Sequence, residues 1–86
     1  MDINDLIAIV KKKITDKIII EKLDIEDKSF LHKNHSGHQD GKFHLKLIIG
    51  SKELKNLNKI ESYKKIHRVL DQEMKKHIHS LQILIY

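Results

Sequence analysis

The sequence predicts an α+β domain with the element order αββ(α)αβ, in which helices pack on one face of a three-stranded mixed sheet. Apolar residues recur at helical spacing in two segments, and three other segments have the length and composition of strands. The chain has 86 residues, 40% of them hydrophobic, which is enough for one core and not for two. Residues 1–86 are therefore expected to form a single domain.

The first segment is predicted to be a helix over residues 3–16. Its apolar residues fall on one helical face, and they are Ile3, Leu6, Ile7, Val10 and Ile14. Asp2 is a suitable N-cap, because its side chain can accept a hydrogen bond from a free backbone N–H group of the first turn. The lysines at 11–13 lie toward the end of the helix, where positive charge complements the helix dipole.

Two strands are predicted next, with a long connection over residues 28–41 between them. The first strand covers roughly residues 19–27, where Leu23 and Ile25 alternate with acidic residues. The second covers residues 43–49, and its core-facing side chains are Phe43, Leu45, Leu47 and Ile49. Gly50 and Ser51 end this strand, and a short turn or helix is expected near 52–56.

A long helix and a third strand complete the chain. The helix is predicted to start after the Asn58 cap and to run to about residue 76. Its apolar face is predicted to comprise Ile60, Tyr63, His67, Leu70 and Met74, which makes His67 a core histidine bonded to backbone. The final strand covers residues 79–85 and faces the core with Leu81, Ile83 and Ile85. The crossover that this order requires is expected to be right-handed.

Histidine is the most informative residue type in the chain, which has seven histidines and no cysteine. His32, His35 and His38 lie in the long connection, and His79 opens the last strand. Imidazole titrates near neutral pH and ligates borderline metals, so these residues indicate ligand or metal chemistry if they meet. The alternatives are a polar loop that binds adventitious metal and a His79 that bonds to a backbone carbonyl. His44 alternates onto the polar face beside Lys46, which favours a structural or partner-facing role.

Charge indicates an acidic partner but does not identify one. Lysine and arginine number 17 against 12 acidic residues, which suits nucleic acid, an acidic protein face or an anionic membrane surface. Lys64, Lys65 and Arg68 on the long helix are candidates for contact with phosphate or with an acidic partner. A solvated helix face is the alternative.

Several classes of protein are disfavoured by the sequence. No apolar run approaches the length of a membrane span, and the acidic start is unlike a targeting peptide, so a cytoplasmic protein is expected. The chain has no set of nucleophile, base and acid, so it is expected not to be an enzyme.

Five segments of the chain carry a family resemblance, and they run in order as Leu23-Asp-Ile-Glu-Asp-Lys-Ser29, Ser29-Phe-Leu-His32-Lys-Asn-His35-Ser-Gly, Phe43-His44-Leu-Lys-Leu-Ile-Ile, Ile66-His67-Arg68-Val-Leu and His77-Ile-His79-Ser-Leu81. Together they resemble the BolA family over nearly the whole chain, from Ile7 to the end. The resemblance implies a fold like the class II KH domain. The chain departs from the family pattern at Ile66, where Arg is usual, and at Ser80, where Ala is usual.

The resemblance implies an adaptor rather than a catalyst. BolA-like proteins pair with monothiol glutaredoxins and help to hold a bridging [2Fe–2S] cluster for assembly, transfer or sensing. The implied state is a monomer without cofactor when alone and a heterodimer with the partner. The family's near-invariant ligand corresponds to His79, and the second ligand comes from the loop. His35 is preferred for the second ligand, followed by His32 and then His38.

The rival function is nucleic-acid binding, as in a transcriptional regulator that uses the KH-like fold and the basic long helix. DNA is the corresponding partner. The sequence lacks a Gly-x-x-Gly loop in the KH position, where close approach to a sugar-phosphate chain would need glycines. Aromatic residues for base stacking are also scarce, with two Phe and two Tyr in the chain.

Overall fold

The computed structural model describes residues 1–29 and 42–86. Its elements follow the chain as α1 (Ile3–Lys17), β1 (Lys22–Asp27), β2 (Phe43–Gly50), α2 (Lys52–Lys55), α3 (Lys59–Val69), α4 (Asp71–Lys76) and β3 (Ile78–Ile85). The predicted α+β class is confirmed, and the short element after β2 is a helix. None of the helices in these described ranges is long and apolar enough to cross a membrane.

The sheet is mixed and has the strand order β1-β2-β3. β1 pairs with β2 in antiparallel orientation, with Ile25 opposite Leu47. β2 pairs with β3 in parallel orientation, with Leu47 opposite Ile83. Because β2 is the central strand, its core-facing Leu45, Leu47 and Ile49 are at most 1% exposed. Burial therefore alternates from Leu45 to Ile49 as the pattern predicted, whereas His44 is buried in addition.

Helices supply the other half of a single core. Leu6, Val10 and Ile14 of α1 are fully buried, and they pack in one cluster with the core face of β2. Ile66 of α3 and Leu70 just after it belong to the same cluster. Two caps fix where these helices begin, because Asp2 accepts a hydrogen bond from the Asp5 N–H and Asn58 accepts one from the Glu61 N–H, each at 2.8 Å.

The first strand begins later than predicted, at Lys22 rather than near residue 19. The backbone of Ile19 is hydrogen-bonded to two side chains at the start of α2, those of Ser51 and Glu53. Ser51 donates its hydroxyl to the Ile19 carbonyl at 2.7 Å, and the Ile19 N–H donates to a Glu53 carboxylate oxygen at 3.4 Å. This apolar stretch therefore connects α1 to the sheet without forming part of the ladder.

The predicted long helix is divided into α3 and α4 at Leu70, whose φ of −101° and ψ of 19° are not helical. Its predicted buried face is confirmed at Leu70, which is fully buried, and at Met74, which packs against the core. The prediction is wrong at His67, which is exposed, and at Ile60, which is 67% exposed. The residues buried along α3 and α4 are Ser62, Ile66 and Glu73. Ser62 can be buried because its hydroxyl donates a hydrogen bond to the Lys59 carbonyl at 2.9 Å. The polar character of serine alone indicates an exposed position.

Candidate functional site

His79 lies at an irregularity in the pairing of β2 with β3. Phe43 is opposite Ile78, and the next pair is His44 with Ser80, so β3 has one more residue than β2 at this step. His79 is that extra residue, as in a β-bulge. A bulge places its extra residue outside the ladder and turns its side chain. Ile78 is accordingly 2% exposed, whereas the adjacent His79 is exposed.

His44 lies beside this bulge and is only 6% exposed. Its Nδ1 atom is 2.6 Å from the Ser80 hydroxyl oxygen, across the two paired strands. Its backbone N–H donates to the Ser29 hydroxyl at 3.0 Å. The sequence placed His44 on the polar face of its strand, and the structure shows that this part of the face is covered. A structural role for His44 is therefore supported.

The two imidazole rings are neighbours. The ring centroids of His44 and His79 are 5.0 Å apart, and the ring planes are inclined at 60°. This edge-to-face arrangement is one of the two that aromatic pairs prefer at such separations. Two nitrogen-bearing rings thus meet at the start of β3, one covered and the other open to solvent.

The predicted loop ligands His32, His35 and His38 lie in residues 30–41, outside the described residues. The residues that border this segment are near the site. Ser29 bonds to the His44 backbone, and the Lys28 N–H donates to the His44 carbonyl at 2.7 Å. Lys42 precedes β2 directly. The connection that carries the three histidines therefore leaves and rejoins the described structure at the end of β2 where His44 is located.

Metal-binding capacity is limited in the part of the chain that the structure describes. Within residues 1–29 and 42–86, no group of three or more His, Asp and Glu side chains is arranged to hold a metal ion. The imidazoles of His44 and His79 supply two side chains where a closed structural zinc site has four ligands.

The basic residues predicted on the long helix have different surroundings. Lys64 and Arg68 are exposed on α3. Lys65 forms an ion pair with Glu53 of α2 at 2.9 Å, and a hydrogen bond from Lys65 is the main cause of a lowered pKa at the Glu53 carboxyl. Lys65 and Arg68 also line a groove of about 670 Å³ between α1 and the α3–α4 region, together with Lys13 and Lys17.

Comparison with known protein families identifies the family to which this chain belongs. The family described as BolA-like protein matches residues 14–86. The chain belongs to the BolA-like family. The family resemblance predicted from the five sequence segments is thereby confirmed.

A protein relative and three solved structures are similar to this BolA-like chain. The relative is the DNA-binding transcriptional regulator BolA of Haemophilus influenzae, 30% identical over 78 residues that cover 91% of this chain and 73% of the relative. The structure of BolA1 from Arabidopsis thaliana has a TM-score of 0.77 and 25% identity, and covers 91% of this chain and 86% of its own.

The other two structures are the BolA domain of SufE1 from Arabidopsis thaliana and BolA1 from Mus musculus. The first has a TM-score of 0.77 at 22% identity, with coverage of 99% of this chain and 92% of its own. The second has a TM-score of 0.71 at 18% identity, with coverage of 90% and 60%. At these identities the two structures show the fold alone, and they confirm its αββ(α)αβ class.

One feature of the site was missed by sequence reasoning, namely the contact between His44 and His79. The contact depends on the register between β2 and β3, which are separated by three helices. The available signal was the alternation along β2, which placed His44 on the face away from the core. Only the bulge, which has no sequence signature here, brings the His79 ring next to it.

Proposed function

We propose that this BolA-like chain is an adaptor that binds a monothiol glutaredoxin and supplies histidine ligands to a bridging [2Fe–2S] cluster. One observation carries the proposal, which is that the bulge at the start of β3 directs the His79 imidazole into solvent. An exposed imidazole on a rigid strand is accessible to a second protein, whereas the adjacent His44 is covered.

The side chains around His79 could supply the histidine half of such a cluster site. Iron–sulfur clusters are usually held by thiolates, and two histidines replace two cysteines on one iron of Rieske-type centres. This chain has imidazoles and no cysteine, so a partner would have to supply the thiolates. His79 and one loop histidine would hold the cluster on this side. His35 is preferred for the loop position, followed by His32 and His38.

The proposed ligand set suits transfer or sensing. When bound, the cluster supplies iron, sulfide and one-electron chemistry to a client. Neutral imidazole in place of thiolate removes negative charge from the site and raises the reduction potential. An imidazole ligand can also be protonated near neutral pH, which makes its bond to iron dependent on acidity.

Reconstitution with a partner tests the proposal. The chain, a monothiol glutaredoxin, iron and sulfide are combined without oxygen and separated by gel filtration. We expect visible absorbance to co-elute with a heterodimer of one copy of each protein, and the chain without the glutaredoxin to elute as a colourless monomer. If all absorbance elutes with the glutaredoxin and none with this chain, the proposal fails.

A second candidate function is binding to DNA by the basic face of α3. It is favoured by the name of the Haemophilus influenzae relative, by the formal net charge of +5, and by the exposure of Lys64 and Arg68. Phosphate contacts release counterions, so affinity for duplex DNA would fall steeply with salt. The contact residues would be Lys64, Arg68 and, after release from Glu53, Lys65.

Two triple variants of equal charge separate this candidate from non-specific attraction. The test variant is Lys64→Ala, Lys65→Ala, Arg68→Ala, and the control is Lys11→Ala, Lys12→Ala, Lys22→Ala. If α3 binds DNA, the test variant has a shallower dependence on salt, by about 0.9 for each lost phosphate contact, and the control retains the original slope. Equal slopes for both variants would exclude α3 as the interface.

A further inference from the structure

Ser80, the residue after the exposed His79, forms a short hydrogen bond with His44. The Ser80 hydroxyl oxygen and His44 Nδ1 are 2.6 Å apart, and the two residues are direct partners in the β2–β3 register. We propose that Ser80 and His44 are positioning residues that hold the His79 imidazole in one orientation for ligation. This inference rests on the proposed function of His79.

The need for positioning follows from the place of His79 in the fold. Its backbone is at the bulge, outside the regular register, and its side chain is exposed. An exposed side chain samples several rotamers and loses that freedom when it is bound. A ligand fixed beforehand avoids part of this entropy cost, so its orientation affects how firmly the metal is held.

Among the described residues, His44 is in ring contact with His79 and can restrict it. The ring centroids are 5.0 Å apart with the planes at 60°, so the two rings are in edge-to-face contact. His44 is 6% exposed, and packing limits its own movement. Most metal-ligating histidines are oriented by a hydrogen bond to their second nitrogen. Here the proposed restraint is a ring contact.

Ser80 fixes the plane of the His44 ring in turn. Rotation about χ2 of histidine is broad, so a hydrogen bond to a ring nitrogen narrows the range of ring planes. The hydroxyl of Ser80 can donate to Nδ1 or accept from it, and either bond fixes the position of that nitrogen. Ser80 is the β3 residue that pairs with His44, and it is half-buried. Its hydroxyl is therefore held in place by β3. The chain of contacts thus runs from Ser80 to His44 to His79.

Three variants test this inference. Ser80→Ala removes the hydroxyl, and Ser80→Thr restores it with a residue that suits a strand. Gln82→Ala, two residues further along β3, is a control at an exposed position. The first measurement uses the chain alone and records side-chain NMR couplings of His79 and imidazole ¹⁵N shifts of His44. The second measures the rate at which a chelator removes iron from the heterodimer.

We expect Ser80→Ala to keep its fold, to change the His44 ¹⁵N shifts, and to average the His79 couplings over several rotamers. The chelator should remove iron about tenfold faster, the lower end of the effect seen when orienting partners of metal ligands are lost. Ser80→Thr and Gln82→Ala should resemble the unmodified chain in both measurements.

Unchanged His79 couplings in Ser80→Ala would overturn the inference. It would also be overturned if Gln82→Ala averaged the His79 couplings to the same extent as Ser80→Ala. If no heterodimer cluster forms even with the unmodified chain, the proposed function fails. The couplings of the isolated chain would still decide whether Ser80 and His44 hold the ring of His79.

Discussion

The imidazole rings of His44 and His79 are in edge-to-face contact, with their centroids 5.0 Å apart. His44 belongs to the central strand and His79 to an edge strand, and the bulge opposite the step from Phe43 to His44 brings the rings together. One ring is covered and bonded to Ser80, and the other is exposed. The arrangement gives the solvent-facing imidazole of His79 a covered neighbour, and this is the physical basis of the proposed ligand role of His79 and of the proposed positioning role of Ser80 and His44.

The buried face of α3 leads to a test with two adjacent residues. Ile66 is fully buried and His67 is exposed, although the sequence placed His67 on the buried face. Ile66→Ala should lower the free energy of unfolding by about 2–5 kcal/mol, because it removes buried methyl groups and leaves a cavity. His67→Ala should change it by about 0.5 kcal/mol or less. Urea denaturation measures both, and equal effects would contradict the observed face.

Tyr63 connects α3 to β3, because its hydroxyl donates a hydrogen bond to the Ile83 carbonyl at 2.9 Å. Tyr63→Phe removes this bond and leaves the ring in place. We expect a loss of about 0.5–1.5 kcal/mol in the free energy of unfolding, as for a typical intramolecular hydrogen bond. Tyr86→Phe is the control, since Tyr86 is 49% exposed at the end of the chain. Unchanged stability in Tyr63→Phe would show that the bond contributes nothing.

The Glu53–Lys65 pair makes stability depend on acidity. The hydrogen bond from Lys65 is the largest effect on the Glu53 carboxyl and lowers its pKa from 4.5, and burial opposes the shift. The unfolded chain therefore takes up a proton at Glu53 at higher pH than the folded chain does. The stabilisation from this group is complete above pH 4.5 and is lost as pH falls below 4.5 through the lowered folded pKa.

Glu53→Gln tests this linkage. The variant should be less stable than the unmodified chain at neutral pH, and the difference should shrink as the solution is acidified below the ordinary pKa of the carboxyl. Thermal unfolding over a series of pH values measures the difference. Glu61→Gln, at an exposed position in the first turn of α3, serves as the control. A difference that stays constant on acidification would contradict the sign of the pKa shift.

Much of the fold could be predicted from local patterns. The Asp2 cap and the apolar spacing gave a helix over 3–16, close to the observed Ile3–Lys17, and alternation gave 43–49 for the observed Phe43–Gly50. The errors arose where tertiary contacts outweigh local preference. The backbone of Ile19 is hydrogen-bonded to Ser51 and Glu53 rather than to a neighbouring strand. On α3, the buried face includes Ser62, which the apolar pattern did not indicate.

The candidate site was predictable only in part. The prediction of His79 as a ligand came from its resemblance to a family segment, and it remains a prediction, as do His35 and His32 beyond the described residues. The neighbouring His44 and its bond to Ser80 could not be predicted, because they depend on pairing between strands that are distant in sequence. Lys65 likewise has a partner in α2 that no local pattern indicates.

The most direct test of the central claim compares His79→Ala with His67→Ala in the reconstituted heterodimer. Both variants remove one exposed imidazole, and only the first removes the proposed ligand. We expect that His79→Ala loses or markedly alters the visible circular dichroism of the heterodimer cluster and that His67→Ala leaves it unchanged. An unaltered cluster spectrum in a folded His79→Ala heterodimer would show that His79 is not a ligand of the cluster.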